Sequence, residues 1–197
     1  MSGAWWGVDP GTANMGAVLV DDLGPVVVID IVSKAATKGK AATKNKTAVP
    51  GQPKRLETTV WLRDGDVLGL AWVKGLPADS YDALDAFRRA LLPLGARGEA
   101  GAAVERVMGN VSPDLADTGG AVVGLLWARG GMERPVRPSA SAWRRRMLDI
   151  PGNTPRAVAE RVAVARVREE VPGWPVEASG HAAEAYWIAR WGAECAG

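Results

Sequence analysis

A chain of 197 residues, 47% of them hydrophobic, can bury the core of one domain, which excludes an intrinsically disordered protein. Its single cysteine, Cys195, excludes an internal disulfide and favours a reducing compartment, and no apolar run approaches the roughly 18 residues of a membrane span. The net charge of +2 hides an asymmetry: seven of the 24 basic residues sit within 33–55 without one acid, leaving 17 against 22 acids elsewhere.

Along the chain, MSGAWWGVDPG lacks the basic start and apolar run of a secretion signal, so a soluble cytoplasmic protein without a membrane partner is expected. Ala4–Asp9 reads as a buried strand ending at the turn Pro10-Gly11. Gly16–Asp22 and Val26–Val32 follow as strands, and their short connections predict an antiparallel meander. Ser33–Arg55 has no apolar periodicity and reads as a flexible basic insertion carrying Lys34, Lys38, Lys40, Lys44, Lys46, Lys54 and Arg55. It either attracts phosphates or is a solvated loop. Leu56–Arg63 and Val67–Val73 read as two strands about the turn Asp64-Gly65-Asp66.

Asp79–Leu92 has helical spacing, with Ser80 or Asp79 as cap and Pro93 after it. Ala102–Met108 reads as a short strand interrupted by Glu105. Leu115–Ala128 is a helix apolar nearly all round, hence buried or facing a partner. Pro135–Ala140 is strand-like, and Ser139 or Ser141 opens a short helix with Trp143, Arg144, Arg145 and Arg146. Thr154 caps a helix from Pro155 to Val171, and Gly180–Trp191 is the last helix. The order predicts a mixed sheet with helices on both faces.

Three segments carry ligand-type residues. Asp9 ends an apolar strand, where an acid either holds a cation or caps its own turn. Glu105 lies among Ala102, Val104 and Val107, where it either needs a partner or sits in water on an edge strand. His181, the only histidine, and Glu184 are three apart and share one helix face, as metal ligands or as a surface pair.

In that order these motifs resemble the RuvC family of Holliday junction resolvases, within the RNase H-like superfamily. GVDPGT holds the family's first acid at Asp9, AVERVMGN its strand glutamate at Glu105, and GHAAEAYWIA its last two ligands at His181 and Glu184. TGGAVVGLLWA resembles the family's dimer helix, PSASAWRRRM its P-x-x-V-K segment, and TPRAVAERVAV its basic helix. Two residues depart from the family pattern: His181 in place of an acid, which some members share, and Glu184 in place of Asp. The insertion is also longer than the family's.

The resemblance implies an RNase H-like mixed five-stranded sheet, its first three strands antiparallel and the rest parallel, in one nuclease domain spanning 1–197. It implies resolution of four-way and branched DNA by paired nicks, with two divalent ions driving phosphodiester hydrolysis. Asp9 would bridge both ions, Glu105 would hold one, and His181 with Glu184 the other. Either Mg²⁺ or Mn²⁺ would serve, and His181 favours Mn²⁺, since imidazole suits it better than Mg²⁺. A homodimer is expected, its interface near Leu115–Ala128. Phosphate contacts are expected from the lysine run, Arg55, Asn110, Arg144, Arg145, Arg146 and Arg156, and Trp143 is either a base-stacking platform or core. Small size and the departures fit a phage-encoded resolver. GVDPGT also resembles the first phosphate loop of actin-like ATPases and sugar kinases, but no convincing second loop follows. A non-catalytic branched-DNA-binding relative is the third reading.

Overall fold

Strand alternation in β1, Trp5–Asp9, decides where the site lies. Trp6 and Val8 face one side of the sheet and join a core with Phe87, Val122 and Leu126, while Gly7 and Asp9 face the other. The computed structural model describes residues 3–34, 55–65, 67–77, 82–94, 100–107, 113–128 and 135–195.

Among the described residues, β1 is followed by β2 (Met15–Asp21), β3 (Gly24–Lys34), β4 (Arg55–Asp64), β5 (Val67–Pro77) and β6 (Gly101–Val104). They form one sheet in the order β5-β4-β3-β2-β1-β6. β1 to β5 pair antiparallel in succession, and β6 lies parallel to β1. The sheet is mixed, as expected, but it has six strands rather than five, and of the strands after the third only β6 is parallel to its neighbour. The extra width comes from the β4–β5 hairpin, which extends the meander beyond β3, since Leu56, Thr58 and Val60 alternate into the core. The stretch after β6 that reads as strand contributes only isolated parallel bridges, Ala103 to Val136 and Arg106 to Ser139.

Helices cover both faces. On one lie α1 (Asp82–Leu91) and α2 (Pro113–Ala128), with a 3-10 turn at Leu92–Leu94. On the other lie α3 (Ala140–Leu148), α4 (Arg156–Glu170) and α5 (Gly180–Cys195), packed around Val18, Val28, Trp143 and Tyr186. Strands covered on both faces explain the nearly continuous apolar runs of β2 and β3. No helix among the described residues is long and apolar enough to cross a membrane.

α5 lies directly across β1 and β2 because side chains are missing there. A Cβ built on Gly7 would fall inside the Ala185 carbonyl and the Ala189 amide, and one on Gly16 inside the His181 carbonyl. With Ala182, Ala185 and Ala189 opposite, helix and sheet meet nearly backbone to backbone. This contact sets the height of His181 and Glu184 above the sheet.

Three local expectations change, and one open choice is resolved. Ser33 and Lys34 continue β3, and Arg55 opens β4, so the basic segment is strand at both ends; residues 35–54 lie outside those described. β6 stops at Val104, so Glu105 follows the strand rather than interrupting it; its amide donates to the Val8 carbonyl, while those of Val104 and Arg106 donate to Val136 and Pro138 on the other side. Ser139 caps α3, accepting from the Ala142 amide. Thr154 caps nothing: its hydroxyl donates to the Pro151 carbonyl, and Pro155 is the N-cap of α4.

Candidate metal centre

Asp9 ends β1 on the α5 side, buried at 5% exposure. In the first turn of α5, His181 turns its ring to it, and Nδ1 lies 2.6 Å from Asp9 Oδ2. An ionised carboxylate only accepts, so Nδ1 carries the proton and Nε2 is the basic nitrogen. Glu184 follows one turn later on the same face and is 1% exposed. Ligand atoms from Asp9, His181 and Glu184 all lie within 4.8 Å of one another.

Glu105 stands on the wall of the same cavity, outside that three-residue cluster. The cavity holds about 440 Å³ and opens between the ends of β1 and β6 and helices α3 and α4, with Arg144 and Arg156 also on its walls. Two consecutive residues of α3 occupy the two glutamates. Trp143 donates from Nε1 to Glu105 Oε2 at 2.6 Å, and Arg144 donates from Nη2 to Glu184 Oε1 at 2.6 Å. Trp143 is fully buried, which makes it core rather than a stacking platform.

The electrostatics follow from crowding. Burial first, then the negative charges of Asp9 and Glu184, push the Glu105 carboxyl up to about 8, against the Trp143 hydrogen bond. Burial and Asp9 push Glu184 up to about 7, against the charge and hydrogen bond of Arg144. Burial works to lower His181, but the hydrogen bond and charge of Asp9 overcome it and hold the imidazole above its ordinary value. Three acids therefore line one cavity, with the imidazole bonded to Asp9 beside it, and the flanking cations Arg144 and Arg156 only partly compensate them. Carboxylate oxygen with imidazole nitrogen is a donor set that suits a first-row divalent ion, and each engaged acid still has a second oxygen to offer.

The remaining sequence candidates separate. Arg144 is buried and paired with Glu184. Arg145 and Arg146 are exposed on α3, with Arg146 paired to Glu194. Arg156, exposed at the start of α4, binds Glu160 and brings Nη2 to 3.3 Å from His181 Nδ1. Lys34 and Arg55 are placed by backbone only. Lys38, Lys40, Lys44, Lys46, Lys54 and Asn110 lie outside the described residues. Sequence reasoning missed Asp30, an acid inside the apolar run VVVIDIV, which is 3% exposed and binds Ser179 at the start of α5. Its signal was the same one that marked Asp9: an acid where an apolar strand should have none.

No protein-family model and no curated protein matches the chain. Among solved structures it is similar to Thermus thermophilus RuvC, with a TM-score of 0.49 and 17% identity, over 94% of this chain and 90% of that one. It is also similar to T. thermophilus RuvC in complex with a Holliday junction substrate, with a TM-score of 0.49 and 14% identity over the same shares.

Proposed function

We propose that this chain is a metal-dependent endonuclease that resolves Holliday junctions and related branched DNA. The observation that carries the reading is the convergence of Asp9, His181 and Glu184 within 4.8 Å, beside Glu105, in an open cavity flanked by arginines. It agrees with the order of the GVDPGT, AVERVMGN and GHAAEAYWIA motifs.

Asp9, Glu105, His181 and Glu184 are the residues that would hold divalent ions, Mn²⁺ in preference to Mg²⁺ because of the imidazole. Such ions supply Lewis acidity, for water activation and for the charge that builds on a phosphate under attack. The chain's own residues do the rest. Asp9 keeps the proton on His181 Nδ1 and so presents Nε2 as the donor atom. Burial and mutual repulsion raise the Glu105 and Glu184 carboxyls in the metal-free site, so a divalent ion held there would displace protons from them. Arg156, on the cavity wall, offers a guanidinium fork to phosphate oxygens; Arg144, Arg145, Arg146 and the lysine-rich segment are further candidates for phosphate contact.

Paired nicks across a near-symmetric junction call for two sites, which a C₂ dimer provides. α2 is the proposed interface: Trp127 is 56% exposed there, beside an apolar groove lined by Leu84, Ala121, Leu125 and Ala128. A monomer in sedimentation at micromolar concentration would remove this element.

The deciding experiment incubates the protein with a synthetic four-way junction and Mg²⁺ or Mn²⁺, alongside Asp9→Asn. Paired nicks lost in the variant are the expected result. Junction binding without nicks would overturn the nuclease in favour of a binding protein, and ATP turnover without DNA in favour of a kinase-like enzyme.

A further inference from the structure

Asp9, Gly16 and Asp30 form one row across three strands. Asp9 pairs with Gly16 between β1 and β2, and Gly16 with Asp30 between β2 and β3. The first turn of α5 sits on Gly16, because any side chain there would enter the His181 backbone. The two acids flanking the glycine each grip this turn. Asp9 holds the His181 ring, and Asp30 holds Ser179, accepting from its amide on Oδ2 at 2.7 Å and from its hydroxyl on Oδ1 at 2.6 Å. The same hydroxyl accepts from the His181 amide at 3.2 Å.

Ser179 is thus held at two atoms, and its hydroxyl fixes the next-but-one residue. An unclamped helix start frays and rotates, and rotation would swing the imidazole off Asp9. From this geometry we infer that Asp30 is a positioning residue for the candidate metal centre, acting through Ser179 to fix where His181 points. Asp30 is nearly buried and stands on β3, the second strand from Asp9, so it is placed to orient the helix rather than to touch substrate. The inference rests on the metal-centre reading of His181, but the link from Asp30 to the ring exists without any ion.

The test uses the full chain and exploits the sole histidine, whose ring gives one unambiguous set of NMR signals. In metal-free protein the Nδ1 proton held by Asp9 should give a slowly exchanging signal. Asp30→Ala and Ser179→Ala should lose or broaden it, while Ser179→Thr, which keeps the hydroxyl, should retain it. Titration with Mn²⁺ then reads paramagnetic broadening of the same ring, and the two alanine variants should need about 10–100-fold more metal than wild type, the usual consequence of freeing a ligand from its support. If Asp30→Ala fails to fold, Ser179→Ala carries the test, since it removes one surface-proximal hydroxyl and no charge. An unchanged Nδ1 proton and unchanged Mn²⁺ response in that variant overturn the positioning role. A wild-type ring that keeps its Nδ1 proton but ignores Mn²⁺ instead overturns the metal-centre reading, and leaves the link from Asp30 to His181 standing on the metal-free signal.

Discussion

The indole of Trp143 donates to Oε2 of Glu105 at 2.6 Å, 38 residues away in sequence, and so ties α3 to the end of β6. Its neighbour Arg144 does the same for Glu184 on α5. α3 is therefore the element that manages the two acids with the highest proton affinity in the site.

Trp143→Phe keeps the ring in the core and removes one donor. The hydrogen bond works to lower the Glu105 pKa, so its loss raises that value further. Metal binding and cleavage should shift to higher pH, and near neutral pH, where the metal-free Glu105 carboxyl is protonated, the protein should lose about 0.5–1.5 kcal/mol of stability, the worth of a hydrogen bond between uncharged groups. A pH–rate profile on the junction checks the first, and denaturant unfolding the second. An unshifted profile would count against a role for Glu105 in the site.

Arg144→Met removes the partner of a buried acid. At pH 8.5 the metal-free variant should be less stable by about 3 kcal/mol, as for other broken buried pairs, and by less at pH 5.5, where Glu184 is protonated. Mn²⁺ should then bind more tightly at pH 8.5, because no guanidinium competes for Glu184, while junction affinity falls. Calorimetric titration with Mn²⁺ that finds equal or weaker binding would contradict this account of the pair.

Metal-free stability should fall as pH rises. Glu105 titrates at an ordinary value of 4.5 when unfolded and at about 8 when folded, so between those values the folded state binds the extra proton. Stability is then greatest below about 4.5 as far as this group is concerned, declines between about 4.5 and 8, and levels off above 8. Thermal scans from pH 5.5 to 8.5 should show the decline, Glu105→Gln should flatten it, and Mn²⁺ should raise the melting temperature more at pH 8.5 than at 5.5.

His181→Asp restores an all-oxygen donor set. The ratio of cleavage rates in Mn²⁺ and Mg²⁺ should move toward Mg²⁺. An unchanged ratio would mean that His181 does not touch the ion.

Much of the layout was legible in the sequence because the signals were local. Asp9 follows an apolar strand and precedes Pro-Gly, and His181 and Glu184 share a helix face by spacing alone. The invisible parts depend on distant partners. Asp30 meets Ser179 across 149 positions, and Glu105 is held by a tryptophan that composition alone leaves open between core and ligand. Thr154 looked like a cap because its type and place were right, and only the nearby Pro151 carbonyl diverted its hydroxyl. The hairpin of β4 and β5 was readable as strands, but not that it joins the same sheet, since that depends on the length of β3.

The seam of Gly7 and Gly16 beneath α5 has an evolutionary consequence. Successive helix residues are rotated by about 100°, so a slip of α5 by one position would carry both His181 and Glu184 off the sheet's acid row. A bulkier residue in the seam therefore damages folding and chemistry together, and selection for either would preserve it. α3 differs: its grip on the acids is made by the tips of Trp143 and Arg144, so changes there tune the site through single hydrogen bonds and leave the seam itself untouched.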